Sequence, residues 1–95
     1  MTPQFKNIGL WGRLSDTKVA EPAATLVSHL RDLGIDIFFL EQEGIPSELS
    51  DVSCLSAAEL PAAVDLMVAV GGDGTLLHTA RVVARQSVPL VGINL

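Results

Sequence analysis

Short apolar runs alternate along the chain with stretches whose apolar residues recur at helical spacing, and glycine, proline or a capping side chain marks each switch. Asn7 to Trp11 (Asn-Ile-Gly-Leu-Trp) reads as a short buried strand ending at Gly12-Arg13. Ser15-Asp16-Thr17 supplies capping side chains for a helix that begins between Thr17 and Pro22, because proline is tolerated in a first turn where its missing N–H has no partner. Leu26, Val27, Leu30 and Leu33 fall at i, i+1, i+4 and i+7 and make one apolar face, with His29 at its wet border. Gly34 stands where a left-handed residue ends a helix. Ile35 to Leu40 is a second strand, apolar enough to be covered on both faces. Glu41 to Ser53, with Gly44, Pro46 and scattered acids, reads as surface loop. Ser56-x-x-Glu59 matches a capping box, and Pro61 keeps the element it starts short or bent. Cys54 reads as a small buried or half-buried apolar residue. Leu66 to Val70 is a third strand, about Thr75 to Gln86 a helix, and Leu90 to Ile93, after the breaking Ser87-Val88-Pro89, a fourth buried strand. Such alternation predicts an α/β fold: a Rossmann-like parallel sheet of about four strands with flanking helices and right-handed crossovers.

The sharpest break in the pattern is Val68-Ala69-Val70-Gly71-Gly72-Asp73-Gly74-Thr75-Leu76-Leu77, where three glycines flank one aspartate between a strand and a helix. A strand, a tight glycine loop and a helix N-terminus present backbone N–H groups to an anion. The glycines permit φ > 0 and allow a ligand to approach without meeting a Cβ. A carboxylate repels phosphate, so Asp73 points to chemistry or a metal ion rather than to anion binding alone. Asp73-Gly74-Thr75 lacks the lysine of a P-loop, and Leu77 occupies the place of the third glycine of a dinucleotide fingerprint.

Composition narrows the setting. Ninety-five residues at 48% hydrophobic content support a small core. A net charge of -5 argues against nucleic acid or an anionic membrane as partner. No lysine or arginine lies between Arg31 and Arg81, so phosphates held at the loop need a divalent cation or cationic groups from elsewhere. Arg81 and Arg85 suit the negative end of a helix dipole. The single Cys54 rules out a disulfide within one chain and suits a reducing compartment. No run approaches the ~18 apolar residues of a transmembrane helix, and Met1 to Asn7 has no signal-peptide pattern. A soluble cytoplasmic protein is expected.

Gly71-Gly72-Asp73-Gly74-Thr75 resembles the GGDGT motif of the NAD kinases, shared more loosely with diacylglycerol and sphingosine lipid kinases and with phosphofructokinases. Ile8-Gly9-Leu10, Ala63-Val64-Asp65-Leu66-Met67-Val68, Ala80-Arg81 and Pro89-Leu90-Val91-Gly92-Ile93-Asn94 extend the resemblance in matching order over essentially the whole chain. It covers only the first part of a family member. Residues 1–95 are therefore expected to be the N-terminal α/β nucleotide-binding domain of a two-domain kinase, a fragment lacking the β-rich C-terminal domain and its NAD-contacting asparagine–acid pair.

The resemblance implies phosphoryl transfer from ATP, or from polyphosphate in some members, to the 2′-hydroxyl of the adenosine ribose of NAD, giving NADP. Asp73 is then the catalytic base, and Gly71, Gly72 and Gly74 form the binding loop that substrate approaches. Thr75 and the loop amides face phosphate oxygens, and His78 contacts NAD from the following helix. Mg²⁺ or another divalent ion offsets the nucleotide charge, with no residue of this chain assigned as its ligand. Arg13 is expected to be a solvated loop arginine. The expected partners are NAD and ATP, with neither nucleic acid nor membrane, in a homo-oligomer of the full-length protein. Two other readings compete. A lipid kinase of the diacylglycerol type wants an apolar or basic membrane-facing surface, which the acidic balance disfavours, and a non-catalytic nucleotide- or anion-binding module needs the loop but no base.

Overall fold

Apolar alternation along three strands builds a sheet with two covered faces. The computed structural model describes residues 5–95; residues 1–4, part of the stretch read above for a signal pattern, lie outside the described residues. The order of elements is β1 (Asn7–Trp11), α1 (Thr17–Asp32), β2 (Asp36–Leu40), a 3-10 turn (Ser47–Leu49), β3 (Ser53–Leu55), α2 (Leu60–Ala63), β4 (Leu66–Gly71), α3 (Asp73–Ala84) and β5 (Leu90–Asn94). All strand pairs are parallel, in the order β3-β2-β1-β4-β5. The register sets Leu10 beside Phe39 on one flank and Val68 on the other. Ile8, Leu10, Ile37, Phe39, Val68 and Val70 thus share one face, where they pack with Val19, Ala23, Val27 and Leu30 of α1. The alternate residues Trp11 and Met67 pack on the other face with Leu60, Val64 and Val83 from the α2 and α3 side.

The crossovers follow from this placement. Chain movement from β1 to β2 to β3 runs one way along the sheet over the α1 face; movement from β3 to β4 to β5 runs the other way over the α2–α3 face. Reversing both direction and face keeps one hand throughout, as right-handed crossovers require. The direction reverses between β1 and β4, and the loop leaving β1 lies against the end of β4 there.

Local chemistry explains the element ends. Asp16 caps α1 by accepting the Lys18 N–H at 2.9 Å, and Pro22 lies in the second turn, past the first turn expected to hold it. A Schellman pair closes α1: Gly34 N–H donates to Arg31 O at 3.0 Å and Ile35 N–H to Leu30 O at 2.9 Å, with Gly34 at φ 73°. The buried stripe of α1 is Val19, Ala23, Val27 and Leu30, and Leu33, expected to complete the face, is 63% exposed as the C-cap residue. The capping box forms as read, Glu59 N–H donating to Ser56 Oγ at 3.1 Å and Ser56 N–H to Glu59 Oε1 at 3.3 Å. The element it starts is short, four residues of helix with Pro61 near the front.

Four expectations are corrected. The sheet has five strands, because Ser53–Leu55 pairs with Phe38–Leu40 at the edge; three residues are too few to leave a periodic signal. The stretch before it is less loose than expected, since Leu49 and Val52 are buried against the α1 face. The last strand is not buried: Val91 is 48% and Ile93 36% exposed, because β5 pairs only with β4 and no described element covers its outer side. Cys54 is exposed rather than buried, and partial desolvation together with the Glu41 carboxylate pushes its thiol pKa up, away from the reactive thiolate. Among the described residues no helix is long and apolar enough to cross a membrane.

Candidate functional site

The glycine loop is tighter than its sequence suggests. β4 runs through Gly71, Gly72 is the N-cap, and α3 already begins at Asp73, so Asp73 and Gly74 belong to the first helical turn rather than to a loop. At its other end α3 stops at Ala84, short of Gln86. The expectation of φ > 0 holds for Gly71 alone, at φ 158°. A Cβ added at Gly71 would lie 3.0 Å from both Thr75 Cβ and Thr75 Oγ1, so the half-buried Thr75 packs directly onto the end of β4. A Cβ at Gly72 or at Gly74 meets nothing within 4 Å, which leaves open space over the helix N-terminus. No side chain caps that terminus, and the first intrahelical bond is Leu76 N–H to Gly72 O at 3.1 Å. Free first-turn N–H groups and the positive end of the helix dipole therefore face the open space.

Asp73 stands exposed at the edge of this space, and its Oδ1 accepts a hydrogen bond from Asn94 Nδ2 at 2.7 Å. Asn94 ends β5 in register with Gly71, and Leu95 N–H donates to Gly71 O at 2.9 Å. In the sequence Asn94 is only the last residue of a matching strand; its contact with Asp73 depends on sheet register. Lower on α3, buried Thr79 donates its hydroxyl to Thr75 O at 2.7 Å and stiffens the same turn. His78 is exposed, with its ring centroid 5.7 Å from that of Trp11 and tilted by 56°, which leans it against the carboxyl end of β1.

A crevice of about 240 Å³ lies beside Thr75, walled by Trp11, Gly12, Arg13, Leu40 and Gln42. Gly12 fits there because a Cβ would come within 2.8 Å of Val70 O, bringing the β1 loop against the end of β4. Arg13, expected to be merely solvated, is exposed but lines this crevice and brings a cation to a region whose own sequence has none between Arg31 and Arg81. Gln42 holds the crevice in shape. Its Oε1 accepts the Leu14 N–H at 2.8 Å, and its Nε2 donates to Gly12 O at 2.9 Å and to Leu40 O at 3.0 Å. Nothing in the sequence singled it out from a polar surface stretch. A larger concavity, about 370 Å³, opens at the amino ends of β2 and β3 around the Arg31–Asp51 ion pair, on the side of the sheet opposite to the loop ends.

Among the described residues no group of three or more His, Cys, Asp and Glu side chains converges as a metal site. The loop from Gly71 to Thr75 holds a single carboxylate, so these residues alone do not build a divalent-cation site. The start of α3 thus carries a carboxylate held from the β5 side and an open helix N-terminus, while Arg13 lines the crevice beside Thr75 and His78 leans on Trp11 toward β1.

A parallel sheet covered on both faces, with a glycine turn and an uncapped helix N-terminus at its switch point, defines the class of open α/β domains that bind ligands outside the carboxyl ends of their strands. Comparison with known proteins narrows this class to a family. Residues 15–95 match the ATP-NAD kinase N-terminal domain. The NAD kinase of Acinetobacter baylyi is 40% identical over 90 residues, covering 95% of this chain and 29% of that protein. The NAD kinase of Burkholderia vietnamiensis is 38% identical over 91 residues (96% and 30%), and that of Azoarcus sp. 35% over 98 residues (100% and 33%). The chain belongs to the NAD kinase family, and it spans about three-tenths of the length of the curated relatives it matches.

Proposed function

We propose that the full-length protein transfers the γ-phosphoryl group of ATP to the 2′-hydroxyl of the adenosine ribose of NAD, giving NADP and ADP. The observation that carries this reading is Asp73: a carboxylate at the first position of α3, exposed over the unobstructed backbone of Gly72 and Gly74 and held by Asn94. A ribose hydroxyl is a weak nucleophile, and a carboxylate within reach orients it and takes its proton. As the hydroxyl oxygen bonds to the γ-phosphorus, the bond to the β,γ-bridging oxygen breaks, ADP departs, and the proton rests on Asp73. The first-turn N–H groups of α3, the dipole behind them and Thr75 offer partners for phosphate oxygens. Arg13, which lines the crevice, would contribute positive charge, and His78, which leans on Trp11, would meet NAD. A divalent ion accompanying ATP would be held chiefly by the nucleotide's own phosphates and would offset their charge.

In this reading residues 1–95 are the nucleotide-binding domain of a cytoplasmic, homo-oligomeric two-domain kinase. They supply the base and half of a phosphate cradle, and alone they are expected to form no NADP, because water exclusion and in-line placement need a second wall. The test is an acceptor panel with the full-length protein and γ-labelled ATP. Label should pass to NAD to give NADP and not to diacylglycerol; transfer to the lipid, or to no acceptor with ATP and polyphosphate both tried, would overturn the proposal.

A further inference from the structure

We infer that Asn94 is a positioning residue for the base: its amide occupies Asp73 Oδ1, fixes the carboxylate plane, and assigns acceptance of the substrate proton to Oδ2. The inference rests on the reading of Asp73 as the base and adds a residue and an atom to it.

The geometry runs through β5. Gly71 pairs with Asn94, and Leu95 N–H donates to Gly71 O at 2.9 Å, so the end of β5 is tied to the residue that enters the glycine turn. From that anchored backbone Asn94 Nδ2 reaches Asp73 Oδ1 at 2.7 Å across 21 positions of sequence. A carboxylate only accepts, so the amide nitrogen must be the group that faces it. The separation is at the short end for a charge-assisted N–H···O⁻ bond. An exposed aspartate at a helix start otherwise moves freely between rotamers, and a base that must meet one hydroxyl in line loses rate when its aim wanders. Among the described residues Oδ2 has no hydrogen-bond partner, which leaves it as the oxygen free to face a ligand.

The electrostatic setting makes this contact readable by pH. β4 and β5, the strands packed against α3, carry no titratable side chain over Leu66–Gly71 and Leu90–Asn94. On α3 itself the other charged or titratable groups are His78 and, in the last turn, Arg81, and Arg13 lines the crevice beside Thr75. Replacing the neutral amide of Asn94 by a carboxylate therefore sets a second negative charge on Oδ1 with little change of shape. Two carboxylates at that separation cannot both ionise freely, and the pair holds a proton to higher pH.

The experiment compares full-length wild type, Asn94→Asp, Asn94→Ala and Asp73→Asn for NADP formation across pH. Both Asn94 variants are expected to fold, since the side chain is exposed; circular dichroism and melting check this. Asn94→Asp should move the acidic limb of kcat upward by about one pH unit or more. Asn94→Ala should lower kcat roughly 10-fold or more with KM for NAD and ATP within about threefold, as loss of aim without loss of binding predicts. Folded Asn94 variants with wild-type kcat and an unmoved acidic limb, beside an inactive Asp73→Asn, would overturn the positioning role and leave the base in place. Near-normal turnover by Asp73→Asn would overturn the base assignment and this inference with it.

Discussion

Gly71, Gly72 and Gly74 are indistinguishable as letters, and the structure separates them. Gly71→Ala must put a methyl against Thr75 at an unfavourable φ, so it should lower stability by about 1–3 kcal/mol, read by denaturant unfolding. Gly74→Ala lies inside α3 with open space around it and should leave the fold intact or stabilise it by up to ~1 kcal/mol, and Gly72→Ala should be nearly neutral. On the proposed function both should nevertheless weaken nucleotide binding, measured by titration calorimetry on the full-length protein, because a methyl would enter the open space assigned there to the ligand. Asp65 makes a second residue-scale prediction. Its Oδ2 accepts the Lys6 and Asn7 N–H groups, each at 2.9 Å, and these bonds lower its pKa from the ordinary 3.8. A carboxyl with a depressed folded pKa adds stability above the unfolded value and loses it as pH falls through the folded one. Asp65→Asn should therefore cost stability at neutral pH, with the gap to wild type closing as the pH is taken below the ordinary aspartate range; a gap that stays constant would contradict the assignment. Residue types with local signals, Asp73 and the glycines around it, were legible in the sequence. Asn94 and Gln42 act through contacts across the sheet, and no spacing along the chain encodes those.

At the scale of elements, the boundaries that sequence gave correctly are those with their own chemistry: Asp16 and Gly34 around α1, and Ser56 with Glu59 before α2. Sequence alone sets the start of α3 too late because glycine reads as loop, while Gly72 caps the helix and Gly74 is tolerated in its first turn. β3 leaves no signal in the sequence because its three residues pair along a sheet edge, and β5 reads as buried because strand composition says nothing of what covers it. The end of α3 carries a testable strain. Ser87 takes φ 55° while Val88 N–H reaches back to Val83 O at 3.3 Å, the pattern that ordinarily uses glycine. Ser87→Gly should raise stability by about 0.5–1 kcal/mol, seen as a higher denaturation midpoint at unchanged slope. A lower midpoint would mean that glycine's added freedom in the unfolded chain outweighs the relieved strain.

At the scale of the molecule, alternation of apolar runs and helical patterns is enough for a parallel α/β sheet, whereas the strand order, with its reversal between β1 and β4, is visible only in the structure. That order sets Gly12 against the end of β4 and Asn94 beside the glycine turn. On the proposed function, Asp73 is the base for phosphoryl transfer at this site. Asp73→Asn keeps the shape and removes the proton acceptor. In the full-length protein, single-turnover NADP formation should fall by ~10²–10⁴-fold while NAD and ATP dissociation constants stay within a few-fold of wild type. Turnover close to wild type would contradict the claim.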